Sequence, residues 1–374
     1  MNILVNCSNL KQGGGVQVGD SVCCQLQRFP QHTFYVVLSS WMADTKNRIG
    51  IASNIIVYQY DIKNSLQTLL LGRDSFLDGL VAENQIDIVL TVFGPSRWCP
   101  RVPHLSGFAL SHLVIPESPY FQRMKVTERM KSYCWCKIRK WSLKRSASCF
   151  WTENYYISQR LARLMQTAKV YTVTNYYNQV FDLPKLWSHK KQLPEFDGIT
   201  TLSVSSYYPH KNFEILIDVA RYFMKKYPDF HFRFVLTFEA EKMPVPDDVR
   251  KHFVFIGKVD VSECPNIYEQ ADIMVMPTLL ECFTATYPEA MRMNRPIVTT
   301  DLEFARGLCA DAACYYSAVD PIAAAEAIYK VATNKEYADH LVAKGREQLK
   351  KFDNYEQRAE RLIGILEEIV NKNN

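Results

Sequence analysis

The stretch ADIMVMPTLLECFTATYPEAMRMNRPIVTT, residues 271–300, decides how the fold is read. Ile273 to Met276 form a short apolar run without a polar interruption, as expected of a buried strand. A proline and polar residues follow, then helical spacing from about Thr284, then a second apolar run at 297–299 behind Pro296. Strand, loop, helix and strand in that order make one βα repeat of a parallel sheet.

The same rhythm extends in both directions. Toward the N-terminus, short apolar runs at 3–5, 33–38, 55–58, 86–92, 105–110, 149–152 and 170–174 alternate with helical stretches. Runs at 199–204, 232–237 and 254–256 precede the opening repeat, and residues 321–370 read as helical. The segment DLPKLWSHKKQLPEFDG, residues 182–198, breaks the rhythm with two prolines and a glycine and reads as a linker. The expected organisation is a first α/β domain over 1–182, a linker over 183–198, a second α/β domain over 199–354, and a C-terminal helix over 355–374 that packs back on the first domain. Two doubly wound sheets joined this way would face a central cleft, where open α/β sheets bind ligands.

Composition agrees with two folded domains. The chain has 374 residues, 48% hydrophobic, 22% charged and 13% aromatic, with 14 glycines and 17 prolines, which excludes disordered, collagenous and low-complexity classes. The net charge of +5 is too mild to point to nucleic acid. Eleven scattered cysteines without a C-x-x-C pair argue against structural zinc and suit a reducing, cytoplasmic setting, most of them as small buried hydrophobes. MNILVNCSNL lacks the features of a signal peptide, and no apolar run approaches the length of a spanning helix, so a cytoplasmic protein is expected.

Two turns carry candidate chemistry. Gln12-Gly13-Gly14-Gly15 follows the first strand and precedes a helix expected near Val16, so its backbone could approach an anion closely. Gly13, Gly15 and Gly19 give only a loose G-x-G-x-x-x-G, and the second strand ends in Ser39, Ser40 and Trp41 rather than the acid a bound NAD ribose would want. A tight turn without a ligand is the alternative. In the opening stretch, Glu281 and Glu289 stand eight positions apart, one in the loop and one about a turn into the helix. Both carboxylates could address one ligand, with the amides of Thr284, Ala285 and Thr286 free for phosphate oxygens. The alternative is one loop glutamate plus one surface glutamate.

ECFTATYPEAMRMNRPIV resembles the E-x7-E signature of family-4 retaining glycosyltransferases of GT-B fold, and SVSSYYPHKN, residues 203–212, resembles that family's strand-to-helix turn with its phosphate-binding lysine. The resemblance implies two Rossmann-like domains and a nucleoside-diphosphate-sugar donor. It implies that Glu289 binds the ribose, that Glu281 contacts the donor sugar, and that Lys211 neutralises the diphosphate. The donor site it implies takes in Gly14, Gly15, Ser206, His210, Lys211, Glu281, Phe283, Thr284, Ala285, Thr286 and Glu289. No metal or other cofactor is expected, in keeping with the lack of a D-x-D pair. The sequence departs from the family in three places: Ser206 replaces a frequent arginine, with His210 a substitute cation, and Thr284 and Asn294 stand where glycine is common. His112 resembles the family histidine that touches the donor sugar, with His104 its competitor.

Residues 121–145, FQRMKVTERMKSYCWCKIRKWSLKR, hold nine basic residues against Glu128, interleaved with Tyr133, Trp135 and Trp141. The rest of the chain is therefore slightly acidic. Such a helix suits an anionic membrane surface and a lipid-linked acceptor, or else an ordinary domain helix with a solvated basic face and a buried aromatic face. No recognition motif supports nucleic acid. The expected protein is a retaining, metal-independent glycosyltransferase of cell-surface polysaccharide synthesis, cytoplasmic and peripheral to the membrane, with a glycan or lipid-linked glycan as acceptor. The alternatives are a nucleotide-sugar epimerase of the same fold and a non-catalytic partner subunit of a glycan assembly complex.

Overall fold

The computed structural model describes residues 1–11, 13–49, 52–63, 66–167 and 169–372. They form two compact units: the first comprises 1–116, 125–175 and 353–374, the second 117–124 and 176–352.

In the first unit seven strands form one sheet: β1 (Asn2–Cys7), β2 (Thr33–Leu38), β3 (Ile55–Gln59), β4 (Ile88–Thr91), β5 (His104–Gly107), β6 (Cys149–Thr152) and β7 (Val170–Thr172). Their spatial order is β3-β2-β1-β4-β5-β6-β7, and every pairing is parallel. Strand direction from β1 turns one way to β2 and the other way to β4, so the switch point lies between β1 and β4, where Asn6 pairs with Thr91. Alternation places Ile3, Val5 and Cys7 on one face with Phe34, Val36 and Leu38, and Leu4 on the other with Tyr35, Val37 and Trp98. Both faces are buried, as a doubly wound sheet requires.

The helix Tyr355–Asn371 covers the first of these faces with Leu362, Ile363, Leu366 and Ile369. Each such aliphatic side chain contributes about 2 kcal/mol when buried. Asn354 starts the helix with a capping box, accepting from the Glu356 and Gln357 amides. Just before it, Asp353 accepts from the Thr174 amide at 2.9 Å and pairs with Arg361 at 2.7 Å. Buried Arg358 donates to Asn175 and to Ser21.

The second unit carries six parallel strands: β8 (Ile199–Ser203), β9 (Phe232–Leu236), β10 (Phe253–Phe255), β11 (Ile273–Met276), β12 (Ile297–Thr300) and β13 (Ala313–Tyr316). Their order β10-β9-β8-β11-β12-β13 puts the switch point between β8 and β11. β13 was not expected from sequence: Ala-Cys-Tyr-Tyr lacks β-branched residues, and the strand is held by pairing with β12 from Ile297↔Ala313 to Thr300↔Tyr316. Expected runs at 86–92, 105–110 and 170–174 are shorter as strands because their outer residues lie in the connecting loops. Asn294 follows the helix Thr286–Arg292 at φ 55°, a left-handed position that asparagine tolerates.

Candidate functional site

In the second unit the switch point brings two loops together. The loop after β8 ends in a short 3-10 turn, Pro209–Lys211, and the loop after β11 carries Glu281. The Leu279 amide donates to the His210 carbonyl at 2.8 Å, which ties the loops. Lys211 Nζ then lies 2.5 Å from Glu281 Oε1, and both side chains are largely buried. Thr278 donates to the same carboxylate oxygen at 2.9 Å. A buried pair of this kind fixes an ammonium and a carboxylate at the rim of the sheet, where breaking one partner leaves the other uncompensated.

Glu289 belongs to the helix Thr286–Arg292, which starts two residues later than expected and has no side-chain cap. Tyr268 donates to Glu289 Oε2 at 3.1 Å. The residue keeps some accessible surface, yet its carboxyl is set deep, and burial pushes its pKa up to about 7 against the opposing hydrogen bond from Tyr268. Thr284 donates to Thr286 Oγ1 at 3.2 Å, and Thr286 donates to the Val204 carbonyl at 3.0 Å. Both hydroxyls therefore brace the loop against the end of β8. The amides of Phe283, Thr284, Ala285 and Thr286 donate to no backbone carbonyl among the described residues. Ala285 is half-buried, and Phe283 packs edge-on against Phe352 at 6.2 Å.

His210 Nε2 lies 3.8 Å from Glu281 Oε1; burial lowers its pKa more than that carboxylate raises it, and the ring stacks on Tyr208 with its centroid 5.6 Å away. Ser206 is exposed in the same loop. The cation that sequence reasoning missed is Arg123. Within the second unit, residues 117–124 lie over this loop: Ser118 donates to the Leu279 carbonyl at 2.7 Å, Tyr120 meets His210 edge-on, and Arg123 donates to Asn212 Oδ1. Asn212 follows Lys211 directly, is fully buried and adopts φ 56°. Only the fold brings Arg123 there, across 89 positions of sequence.

The remaining candidates belong to the first unit. Gly13 caps the helix Gly14–Cys23 at φ 72° and ψ −151°, a conformation essentially reserved for glycine. A Cβ on Gly14 would meet nothing within 4 Å, and one on Gly15 would touch Leu10 and Phe93 at ordinary distances. That helix thus begins before Val16. His112 lies in the turn Ser111–Val114, and Arg139 Nη1 is 2.5 Å from its Nε2. His104 is structural. It is fully buried, with Nδ1 2.5 Å from the Ser146 carbonyl and Nε2 2.8 Å from Thr91 Oγ1, and desolvation lowers its pKa to about 4. A carbonyl only accepts, so Nδ1 carries the proton and the neutral ring accepts from Thr91.

Residues 198–334 match the family model described as Glycosyl transferases group 1, a span that contains Lys211, Glu281 and Glu289. No curated protein matches the chain. Among solved structures, sucrose-phosphate synthase from Thermosynechococcus elongatus is similar with a TM-score of 0.70 and 14% identity, covering 98% of each chain. Anabaena HepE in complex with UDP and glucose gives 0.65 and 13% identity over 98% of this chain and all of its own. WaaG, a glycosyltransferase involved in lipopolysaccharide biosynthesis, gives 0.66 and 14% over 98% and 99%. The two parallel sheets, with their strand orders and the full-length matches, give this chain the GT-B fold, and its residues 198–334 are similar to the group 1 glycosyl transferases.

Proposed function

We propose that this protein is a retaining glycosyltransferase that moves a sugar from a nucleoside-diphosphate donor to a glycan acceptor. The observation that carries the proposal is the buried contact of Lys211 with Glu281 at the switch point of the second unit, beside a deep carboxyl at Glu289. A ribose presents two hydroxyls, which Glu289 would accept; its Oε2 is already oriented by Tyr268. The diphosphate would lie against Lys211 and the unpaired amides of residues 283–286, with Arg123 as second cation in place of an arginine at 206. Glu281 would then accept hydroxyls of the donor sugar.

When the bond from the anomeric carbon to the diphosphate oxygen breaks, charge builds on the diphosphate. Lys211 stabilises that charge more than it stabilises the bound donor. The acceptor oxygen forms its bond from the same face, and its proton passes to a departing phosphate oxygen, so configuration is retained and no enzymic nucleophile is needed. Lys211 and Arg123 would offset that charge. The binding of UDP and glucose by HepE supports a donor of this type.

The acceptor would be taken by the first unit, and a lipid-linked surface glycan fits the basic helix Val126–Ser146. Its aromatics are not buried, as an ordinary domain helix would have them: Tyr133 is 62% and Trp141 47% exposed. With 100° per residue, Val126, Met130, Tyr133, Lys137, Lys140, Trp141 and Lys144 share one side of the helix. Cations and rings on one side suit an anionic headgroup layer, and the likeness in fold to WaaG supports a role in surface glycans. Attachment through this helix would be peripheral, on the cytoplasmic face; among the described residues no helix is long and apolar enough to cross a membrane.

The test is incubation of the protein with UDP- and GDP-sugars, with and without a membrane glycolipid extract, followed by product analysis. The proposal expects acceptor-dependent transfer with the donor's anomeric configuration kept. Inverted products, or a sugar converted without any acceptor, would contradict it.

A further inference from the structure

The first unit has its own cleft, of about 590 Å³, at the carboxyl ends of β1 and β4. This is the switch point of that sheet, and the volume falls in the range of small-molecule sites. Asn9 and Lys11 reach it from the loop after β1, Arg97 from the loop after β4, and Arg139 and Ser142 from the basic helix above. Residues 135, 138, 139 and 142 of that helix line the cleft, on the side opposite its exposed cationic and aromatic stripe.

Four features of the lining point to a ligand. Lys11, Arg97 and Arg139 face a single carboxylate, Asp61, whose Oδ1 already accepts from the Ser40 amide at 3.0 Å. The cleft is therefore cationic. Asn9 Oδ1 and Ser142 Oγ are buried without a hydrogen-bond partner among the described residues, although Asn9 Nδ2 donates to the Phe93 carbonyl at 2.7 Å. An acceptor and a hydroxyl left unpaired suit a hydroxyl-rich ligand. At the rim stand two rings, Trp41 at 60% and Trp135 at 52% exposure, which suit the apolar face of a sugar ring. Arg97 also holds φ 63°, a left-handed backbone that arginine rarely adopts. Such local strain marks binding sites more often than plain loops.

We propose that this cleft binds an anionic sugar, a ring bearing a phosphate or carboxylate, with Lys11, Arg97 and Arg139 on the anion and Trp41 and Trp135 against the ring. The inference rests on the glycosyl-transfer reading and narrows its acceptor to a charged one. Arg139 also spans the cleft and His112, so an anion on Arg139 would be coupled to that histidine's Nε2.

Calorimetric titration of the full-length protein with glucose 1-phosphate, glucuronate and neutral glucose tests this. The anionic sugars are expected to bind at least tenfold more tightly than glucose, with the difference shrinking as salt rises. Arg97→Gly suits the left-handed backbone and should fold at least as well as native, yet lose at least tenfold in affinity for glucose 1-phosphate; Lys11→Ala, in an exposed loop, should weaken it several-fold. Displacement by geranyl phosphate would place the anion on a lipid carrier, and failure of geranyl phosphate to compete would place it on the sugar itself; either sustains the proposal. Anionic sugars binding no better than glucose, or binding untouched by both variants, would overturn it. UDP and GDP binding to the same preparations separates the outcomes. A nucleoside diphosphate bound without anionic preference refutes only the cleft, whereas anionic sugar bound with neither UDP nor GDP bound refutes the donor site on which the transfer reading stands.

Discussion

Glu289 titrates where an assay can see it. Its pKa is raised to about 7 by burial, so the carboxyl is largely protonated at pH 6 and ionised at pH 8. Two ribose hydroxyls donate best to the ionised form. UDP affinity should therefore rise with pH through a midpoint near 7, and Glu289→Gln, which does not titrate, should bind weakly and flatly across that range. A native profile that falls with pH would assign the raised pKa to some other role. Arg123 allows a second test at the same scale. Hydrogen bonds to charged groups are worth about 1.5–3 kcal/mol, so Arg123→Ala should weaken UDP binding roughly ten- to a hundredfold, with Arg123→Lys recovering part of it. Arg123→Ala binding UDP like native would remove it from the site. Lys211, Glu281 and Glu289 stand out as candidates in the sequence because each sits in a turn or helix whose neighbours are close in sequence. Arg123 could not, because its partner Asn212 lies 89 positions away and only packing joins them. The surroundings of His210, stacked on Tyr208 and buried so that its pKa is lowered, are likewise tertiary facts.

Among elements, the helix Val126–Ser146 tests the membrane reading. Each Lys or Arg at an anionic surface contributes about 1 kcal/mol. Native protein should sediment with phosphatidylglycerol vesicles at low salt and not with phosphatidylcholine vesicles. Replacing Lys137, Lys140 and Lys144 by glutamate should abolish sedimentation, and they lie off the cleft-lining side of the helix. Equal binding to both vesicle types would refute an electrostatic surface. The charge and aromatic content of this helix were plain in sequence, but which rings stay exposed was not, because apolar residues are spread around it without a single stripe. The strands show the converse. Ile273–Met276 and Cys149–Thr152 were readable as dense apolar runs, whereas Ala313–Tyr316 is a strand only because β12 offers it an edge.

Across the whole molecule, the first unit is closed by chain that returns from the far end of the sequence. Arg358 is buried among groups of opposite charge, and burial lowers its pKa to about 10. Nearby Glu153 is raised to about 7, chiefly by burial and partly offset by Arg358. A carboxyl whose folded pKa lies above its unfolded value binds more protons when folded, so its contribution to stability is full below about pH 4.5 and is lost as pH rises through 7. Arg358→Met removes the compensating charge and should cost about 3 kcal/mol or more, with the larger loss at pH 8 than at pH 5. Urea unfolding at the two pH values checks this, and an equal loss at both would detach Glu153 from Arg358. The sequence pattern exposed the alternating elements and two sheets, but not that residues 117–124 belong with the second unit, since nothing local to them says so.

The most direct measurement of the central claim is calorimetric titration of UDP and GDP into the native protein, Lys211→Ala and Glu289→Ala. One nucleoside diphosphate should bind the native protein with one-to-one stoichiometry, and each variant, shown to be folded by a cooperative urea transition, should bind it at least tenfold more weakly. Neither nucleotide binding to the native protein, or both variants binding as native does, would contradict a donor site at the switch point of the second sheet.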